Sequence, residues 1–331
     1  MNRLLIIVTV FMLTTALFSP HADSGTVQLS RTGQTKCYNF VGATIGCPGS
    51  GQDGDILSGM AWPTLRFSDN NNGTVTDNLT GLIWLKDAGC LGPQTWQISL
   101  NSANALANGQ CGLSDGSIAG QWHLPNLNEL ESILDASRLM PALPADYFFI
   151  NIQAVAPNDS YWTSTSQKAN GYINAWTASL YLGGTASLGK SRNGYALPVR
   201  TGPALTYLAL PQTGQASCYS STGGLISCTG TGQDGDLPRG VVWPAPRFTD
   251  NNDQTVTDNL TGFMWSKDAK TPGPTACTPA TTKTWPNGLT YIQCLNANSY
   301  LGHNDWRLPN QNELFLVCGP YGSPICNHII G

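Results

Sequence analysis

The chain has 331 residues, 41% of them hydrophobic and only 11% charged, with 20 Asp and Glu against 16 Lys and Arg. A net charge of −4 without any basic run excludes a nucleic-acid partner gripped by its phosphates, since such binding needs a basic face. The apolar content excludes a disordered tail, and the length suggests two domains, each large enough to bury a core.

The first residues, "MNRLLIIVTVFMLTTALFSPHADS", combine one Arg, an apolar run from Leu4 to Phe18 and small or polar residues. This pattern predicts a secretory signal peptide over residues 1–23, because the run falls short of the roughly 20 apolar residues of a membrane span. No later segment has the character of a span. All ten cysteines lie beyond the signal, and an even number in an exported chain reads as structural disulfides. Their spacing suits neither a tetrahedral zinc site nor a CxxC redox pair.

An internal repeat organises the chain. Cys37, Cys47, "GQDGD" at Gly51 to Asp55, Trp62, Arg66-Phe67, "TVTDNLTG" at Thr74 to Gly81 and Trp84 return as Cys218, Cys228, Gly232 to Asp236, Trp243, Arg247-Phe248, Thr255 to Gly262 and Trp265. Further on, "WHLPNLNEL" at Trp122 to Leu130 answers "WRLPNQNEL" at Trp306 to Leu314. The reading is a complete domain over residues 24–201, a linker over 202–212 and a second copy over 213–331. That second copy lacks counterparts of "YWTSTS" and "YALPVR". The repeat also suggests the cysteine pairs Cys37–Cys47, Cys90–Cys111, Cys218–Cys228 and Cys277–Cys294, leaving Cys318 with Cys326. Local loops of this size contribute roughly 2 to 3 kcal/mol each in the chain-entropy picture.

In chain order, "RFSD" and "TVTDN" read as strands joined by the Asn72-Gly73 turn, and "GLIWL" as a third strand. A helix is expected across "TWQISLNSANALANG", ended by Asn108-Gly109, with its partner around Leu289 to Leu301. After an extended "WHLP", Asn126 and Glu129 form a capping-box start, and Leu127, Leu130, Ile133 and Leu134 share one helical face. "YWTSTS", "AWTASLYL" and "YALPVR" complete the strands, with Pro198 marking an edge position. Few helices among many short strands give an α+β class.

Chemistry is sparse. Asp69, Asn71 and Asp77, repeated as Asp250, Asn252 and Asp258, offer oxygen donors loosely like a calcium loop. The Gly and Glu of an EF-hand are missing, so a hairpin is the favoured reading and no cofactor is expected. His123 becomes Arg307 in the second copy, no nucleophile elbow occurs and paired cysteines leave no thiolate, so no enzymatic activity is expected. Eight of the ten tryptophans form repeat pairs and read as core. Trp162 and Trp176 occur only in the complete copy. With Tyr161, Tyr172, Lys190, Arg192 and Tyr195 they form the expected ligand surface, the aromatics stacking a sugar or peptide and the cations pairing with sulfate or carboxylate.

The segments "TGQTKCYNF", "GQDGD", "AWPTLRFSDNNNGTVTDNLTGLIWLKDA", "WHLPNLNEL", "YWTSTS" and "YALPVR" resemble the Lcl C-terminal domain family, named for the end of a bacterial collagen-like adhesin. The resemblance covers the first copy almost completely and the first two-thirds of the second. It implies a bacterial exported protein of the periplasm, outer surface or medium, with a C-type-lectin-like α+β architecture. It also implies a binding module for polysaccharide or a surface protein, since the adhesin recognises sulfated polysaccharides, and it brings no catalytic residues. The alternative reading is a structural envelope or appendage component that oligomerises through its incomplete second copy. A formylglycine-generating-like oxidase is the remoter alternative.

Overall fold

The computed structural model describes residues 27–156, 159–203, 208–268, 273–279 and 282–318. The expected signal peptide and Cys326, and with it the expected Cys318–Cys326 pair, lie outside the described residues. Each copy divides into a short head and a larger body. The first head holds β1 (Cys37–Tyr38), β2 (Thr44–Ile45) and the single turn α1 (Asp53–Ile56). The first body holds β3 (Phe67–Asp69), β4 (Thr74–Asp77), β5 (Leu82–Leu85), α2 (Trp96–Ala105), α3 (Leu127–Glu131), β6 (Tyr161–Gln167), β7 (Asn174–Ser179), β8 (Gly184–Gly189) and β9 (Val199–Thr201). The second head repeats the hairpin as β10 (Cys218–Tyr219) and β11 (Leu225–Ile226). The second body contributes β12 (Phe248–Asp250), β13 (Thr255–Asp258), β14 (Met264–Ser266), α4 (Trp285–Ala297) and α5 (Gln311–Cys318).

The chain is thus α+β, as its patterning indicates. β3, β4, β5 and β9 form an antiparallel sheet in that order, and β6, β7 and β8 form a second one. β9 is the last strand of the first sheet, bridged on its far side by His123 at Val199, and Pro198 stands just before it, where its missing N–H is tolerated. In the second body β12, β13 and β14 repeat the first three strands alone. β8 was not foreseen, because its sequence "GTASLG" offers no alternation of bulky residues for a period-two reading. α3 begins as expected, with Asn126 accepting from the Glu129 N–H while the Glu129 carboxylate accepts from Asn126 N. Four disulfides close Cys37–Cys47, Cys90–Cys111, Cys218–Cys228 and Cys277–Cys294.

Both bodies are anchored by one buried ion pair. Arg66 donates from Nε and one terminal nitrogen to Asp77 at 2.7 and 2.9 Å, and the same terminal nitrogen donates to Ser132 O at 2.6 Å. Asp77 also accepts from the Leu79 N–H and the Thr80 hydroxyl, so every oxygen of the buried carboxylate is occupied. The sheet is thereby tied to the end of α3. Arg247, Asp258 and Leu316 O repeat the arrangement in the second body. "TVTDNLTG" recurs because it supplies this anchor and the turn behind it.

The sequence repeat does not coincide with the packing unit. Each head sits on the body of the other copy. Leu208 N donates to Leu79 O at 2.8 Å, and its counterpart Val27 N donates to Leu260 O at 2.9 Å. Asn128 reaches Pro211 O at 2.9 Å, while its counterpart Asn312 reaches Ser30 O at 3.0 Å. Val27, Leu260 and Leu316 share an apolar cluster with Leu29, Val241 and Trp243, so residues of both heads meet the second body there. Each head also keeps a link to its own body, as where Ala136 N donates to Thr32 O at 2.9 Å.

Breaking a buried pair by removing one partner leaves an uncompensated charge and costs about 3 to 5 kcal/mol. Asp77→Ala should therefore lower the urea unfolding free energy of the intact chain by about that much. A loss below about 1 kcal/mol would show that the pair is not the anchor.

Candidate binding surface

The late strands of the first body, with no counterpart among the described residues of the second, form one side of a filled seam. The second head fills it. Its Asp234 is fully buried, accepting from the Thr165 hydroxyl on β6 at 2.7 Å and from Thr213 at 2.5 Å, while Asp234 N donates to Ser164 O. Gln215 accepts from Ser166 N at 3.0 Å. The ring of Tyr219 stacks on Tyr172 with centroids 3.7 Å apart and planes 5° from parallel. Gly223, at φ +85°, approaches so closely that a Cβ there would overlap Gly171 O, a contact that only glycine permits.

Lys190 closes the same seam. It is 1% exposed, its ammonium lies 4.0 Å from the centre of the Trp96 ring, and it donates to Tyr219 O and Ser220 O at 3.3 Å. Burial pulls its pKa down to about 7, whereas the indole face and the two carbonyls favour the ammonium. Its charge is spent on the second head and is not offered to a sulfate or carboxylate.

The seven residues expected to bind a ligand are therefore sorted by the structure. Trp162 is fully buried, donating its indole N–H to Gln94 O at 2.9 Å, and offers no face for stacking. Tyr161 is buried beside Tyr195, its hydroxyl accepting from Gln153 N at 2.8 Å. Both fill the core because β6 is buried along all but its last residue, a placement that their restriction to one copy did not reveal. Trp176 packs edge-on against Phe315 of α5, and Tyr172 is taken by Tyr219. Tyr195 is half-buried against the core, and Arg192 is exposed at the rim. Sequence reasoning missed Thr165, which carried no signal, and Thr213, Gln215 and Asp234, whose only signal was the repeated "GQDGD" and the "T-G-Q" before each first cysteine.

The oxygen donors of the "SDNNNGTVTD" loops are engaged by the chain itself. Asp69 accepts from Lys86 at 2.5 Å and from Asn71 N, and Asp250 is likewise bonded to Lys267 and Asn252 N. Asp77 and Asp258 are held by their arginines, so the six donors do not converge on a point. The hairpin reading is what the structure contains, with Phe67 opposite Asp77 and Asp69 opposite Val75.

The two seams differ in charge. Asp234 faces Glu129 and His123, which lies 3.2 Å from the Glu129 carboxylate. Its counterpart Asp53, bonded to Thr32, faces Glu313 and the permanent cation Arg307. Burial pushes the Asp234 pKa up to about 7. An Asp raised above its ordinary value of about 3.9 binds its proton more tightly in the seated state, so seating is favoured in acid and weakens as pH rises from about 4 to about 7. Lys190, lowered to about 7 in the seated state, begins to release its proton only toward the top of this window, so the slope below about pH 6 belongs to Asp234. Hydrogen exchange over residues 218–236 should accordingly rise as pH increases through the lower part of this range. After correction for intrinsic exchange, Asp234→Asn should abolish the trend; an unchanged trend in that variant would assign it to other groups.

Two clefts lie at the junction of α3 and α5, bordered by Asn128, Glu131, Asn312 and Phe315, and neither is lined by Arg192. Groups of three or more His, Cys, Asp or Glu side chains able to hold a metal are absent among the described residues. Those residues also include no helix long and apolar enough to cross a membrane.

No curated protein matches the sequence. The sequence profile of the Lcl C-terminal domain matches residues 73–200 and 254–327, starting after β3 and β12 and leaving out both heads. With more than half of its length matched in two segments, the chain belongs to the Lcl C-terminal domain family.

Proposed function

We propose that the chain is an exported bacterial binding module of adhesin type, acting at the cell surface or in the periplasm without catalysis, on a C-type-lectin-like scaffold. Family membership and the four disulfides support export and a surface role. The observation that carries the binding reading is the seam itself. The late-strand face receives a disulfide-closed hairpin through ring stacking, a buried cation on backbone carbonyls and a glycine-to-glycine approach. Such a face is built for polypeptide, which favours a surface protein over a polysaccharide as the external partner. Arg192, exposed beside the occupied seam, is the cation that would meet a carboxylate or sulfate on either. The reading without catalysis is supported by His123, which is committed to Glu129, and by the cysteines held in the four disulfides.

The second reading, an envelope component that assembles, rests on β14. Its counterpart β5 pairs with β9, whereas the outer edge of β14 has no partner strand among the described residues and Met264 is exposed there.

Surface-exposed proteins of the source cell and arrays of sulfated and carboxylated polysaccharides provide the test, using the intact secreted chain. Saturable binding weakened at least about threefold by Arg192→Ala is expected for a rim charge. Binding unaffected by that change would move the site, and binding to neither class would overturn the adhesin reading.

A further inference from the structure

The two copies meet along α3 and α5, and the residues that meet there are each other's counterparts. Asn128 answers Asn312, Glu131 answers Phe315 and Leu210 answers Leu29. All six border the larger of the two clefts at this junction, and Glu131, Asn312 and Phe315 border the smaller one as well. The walls come from both bodies and from the segments that lead into both heads, so the exchange of heads builds the cleft. At its centre the duplication is unequal, setting a carboxylate against an aromatic ring instead of two copies of either.

Glu131 is half-buried, and one of its carboxylate oxygens is buried with no hydrogen-bond partner among the described residues. Burial holds its pKa well above the ordinary carboxylate range, and the Thr185 hydroxyl offsets that only in part. No Lys, Arg or His borders either cleft among the described residues. A carboxylate taken out of water is normally paired with a cation, and the walls supply none. Two more acceptors border the larger cleft. Asn128 and Asn312 turn their amide nitrogens to Pro211 O and Ser30 O, which fixes the orientation of both amides. Their Oδ1 atoms accept nothing from the described residues.

We propose that the larger cleft binds a primary alkylammonium group, with Glu131 as its counter-ion, Asn128 and Asn312 accepting its other N–H donors, and Phe315, Leu208 and Leu210 covering its methylenes. The ligand class follows from donor count, size and lining. An ammonium carries three N–H donors and no acceptor, and these three side chains offer acceptors without a competing cation. The cavity volume of about 60 Å³ is room for about four waters at roughly 10 to 15 Å³ each, or for a chain of four or five heavy atoms. A carboxylate and an aromatic ring on the walls of one small cleft both attract a cation, the first by its charge and the second by its quadrupole. Leu208, Leu210 and Leu316 make the rest of the wall apolar, which suits an alkyl chain and not a hydrated inorganic ion. The site shares no residue with the Arg192 rim, so the inference does not depend on the adhesin reading.

The probe is n-butylammonium chloride, titrated into the intact chain at constant ionic strength and followed by saturation-transfer NMR. A pH of about 8 keeps the amine protonated while protons compete less for Glu131. Saturable binding is expected, with n-butanol, which has the same length and no charge, at least about tenfold weaker. Glu131→Gln keeps the shape of the side chain and removes its charge, and should weaken butylammonium binding at least about tenfold. Phe315→Leu should weaken it severalfold. Nα-acetyl-lysine methylamide separates two sources of the same group: binding as tight as that of butylammonium assigns the cleft to a lysine of a polypeptide, weaker binding assigns it to a free amine, and both uphold the inference. Absence of saturable butylammonium binding overturns it. So does binding that n-butanol matches, or that the Glu131→Gln variant retains in full.

Discussion

Everything in this molecule turns on a carboxylate reaching under the wrong copy. Asp234 lies 69 residues beyond Thr165, yet the hydrogen bond between them is buried at the join of a head from one repeat and a body from the other. Once that loop is seated, Gln215, Tyr219 and Gly223 fall on β6, Tyr172 and Gly171, and the second head becomes part of the first body's packing. The reverse contact places Val27, Ser58 and Asp53 against Leu260, Glu313 and Arg307. Neither copy is finished by its own head. The chain therefore folds as a mutual exchange, and the four disulfides, each local to a head or a body, leave that exchange to non-covalent contacts.

The exchange is symmetric in outline and unequal in depth. The second head meets a full set of late strands, with a stacked ring, a buried lysine and a second hydroxyl on its aspartate. The first head meets a body that lacks those strands among the described residues, and Tyr38 and Gly42 are left without the contacts that Tyr219 and Gly223 enjoy.

Much of the fold was legible in the sequence because it depends on local rules. The Asn126 and Glu129 box, the Asn72-Gly73 turn and the four observed cysteine pairs follow from spacing alone. The candidate surface was less legible. The late strands stood out by their presence in one copy, but a linear pattern cannot tell a tryptophan that fills the core, as Trp162 does, from one that is exposed. Nor can it show that the surface already has an occupant. Lys190 looked like a free cation because its carbonyl partners lie 29 and 30 positions away and its indole far upstream in α2, in elements whose adjacency is decided only by tertiary packing.

The exchange of heads is tested most directly by crosslinking between paired cysteines in the intact chain. Tyr172→Cys with Tyr219→Cys should give a rapid intramolecular link with a short bis-thiol reagent, because those rings are stacked. Tyr172→Cys with Tyr38→Cys should give none, since Tyr38 belongs to the head seated on the other body. The opposite result, a link in the variant that pairs positions 38 and 172 and none in the variant that pairs positions 172 and 219, would mean that each head returns to its own body and would contradict the account.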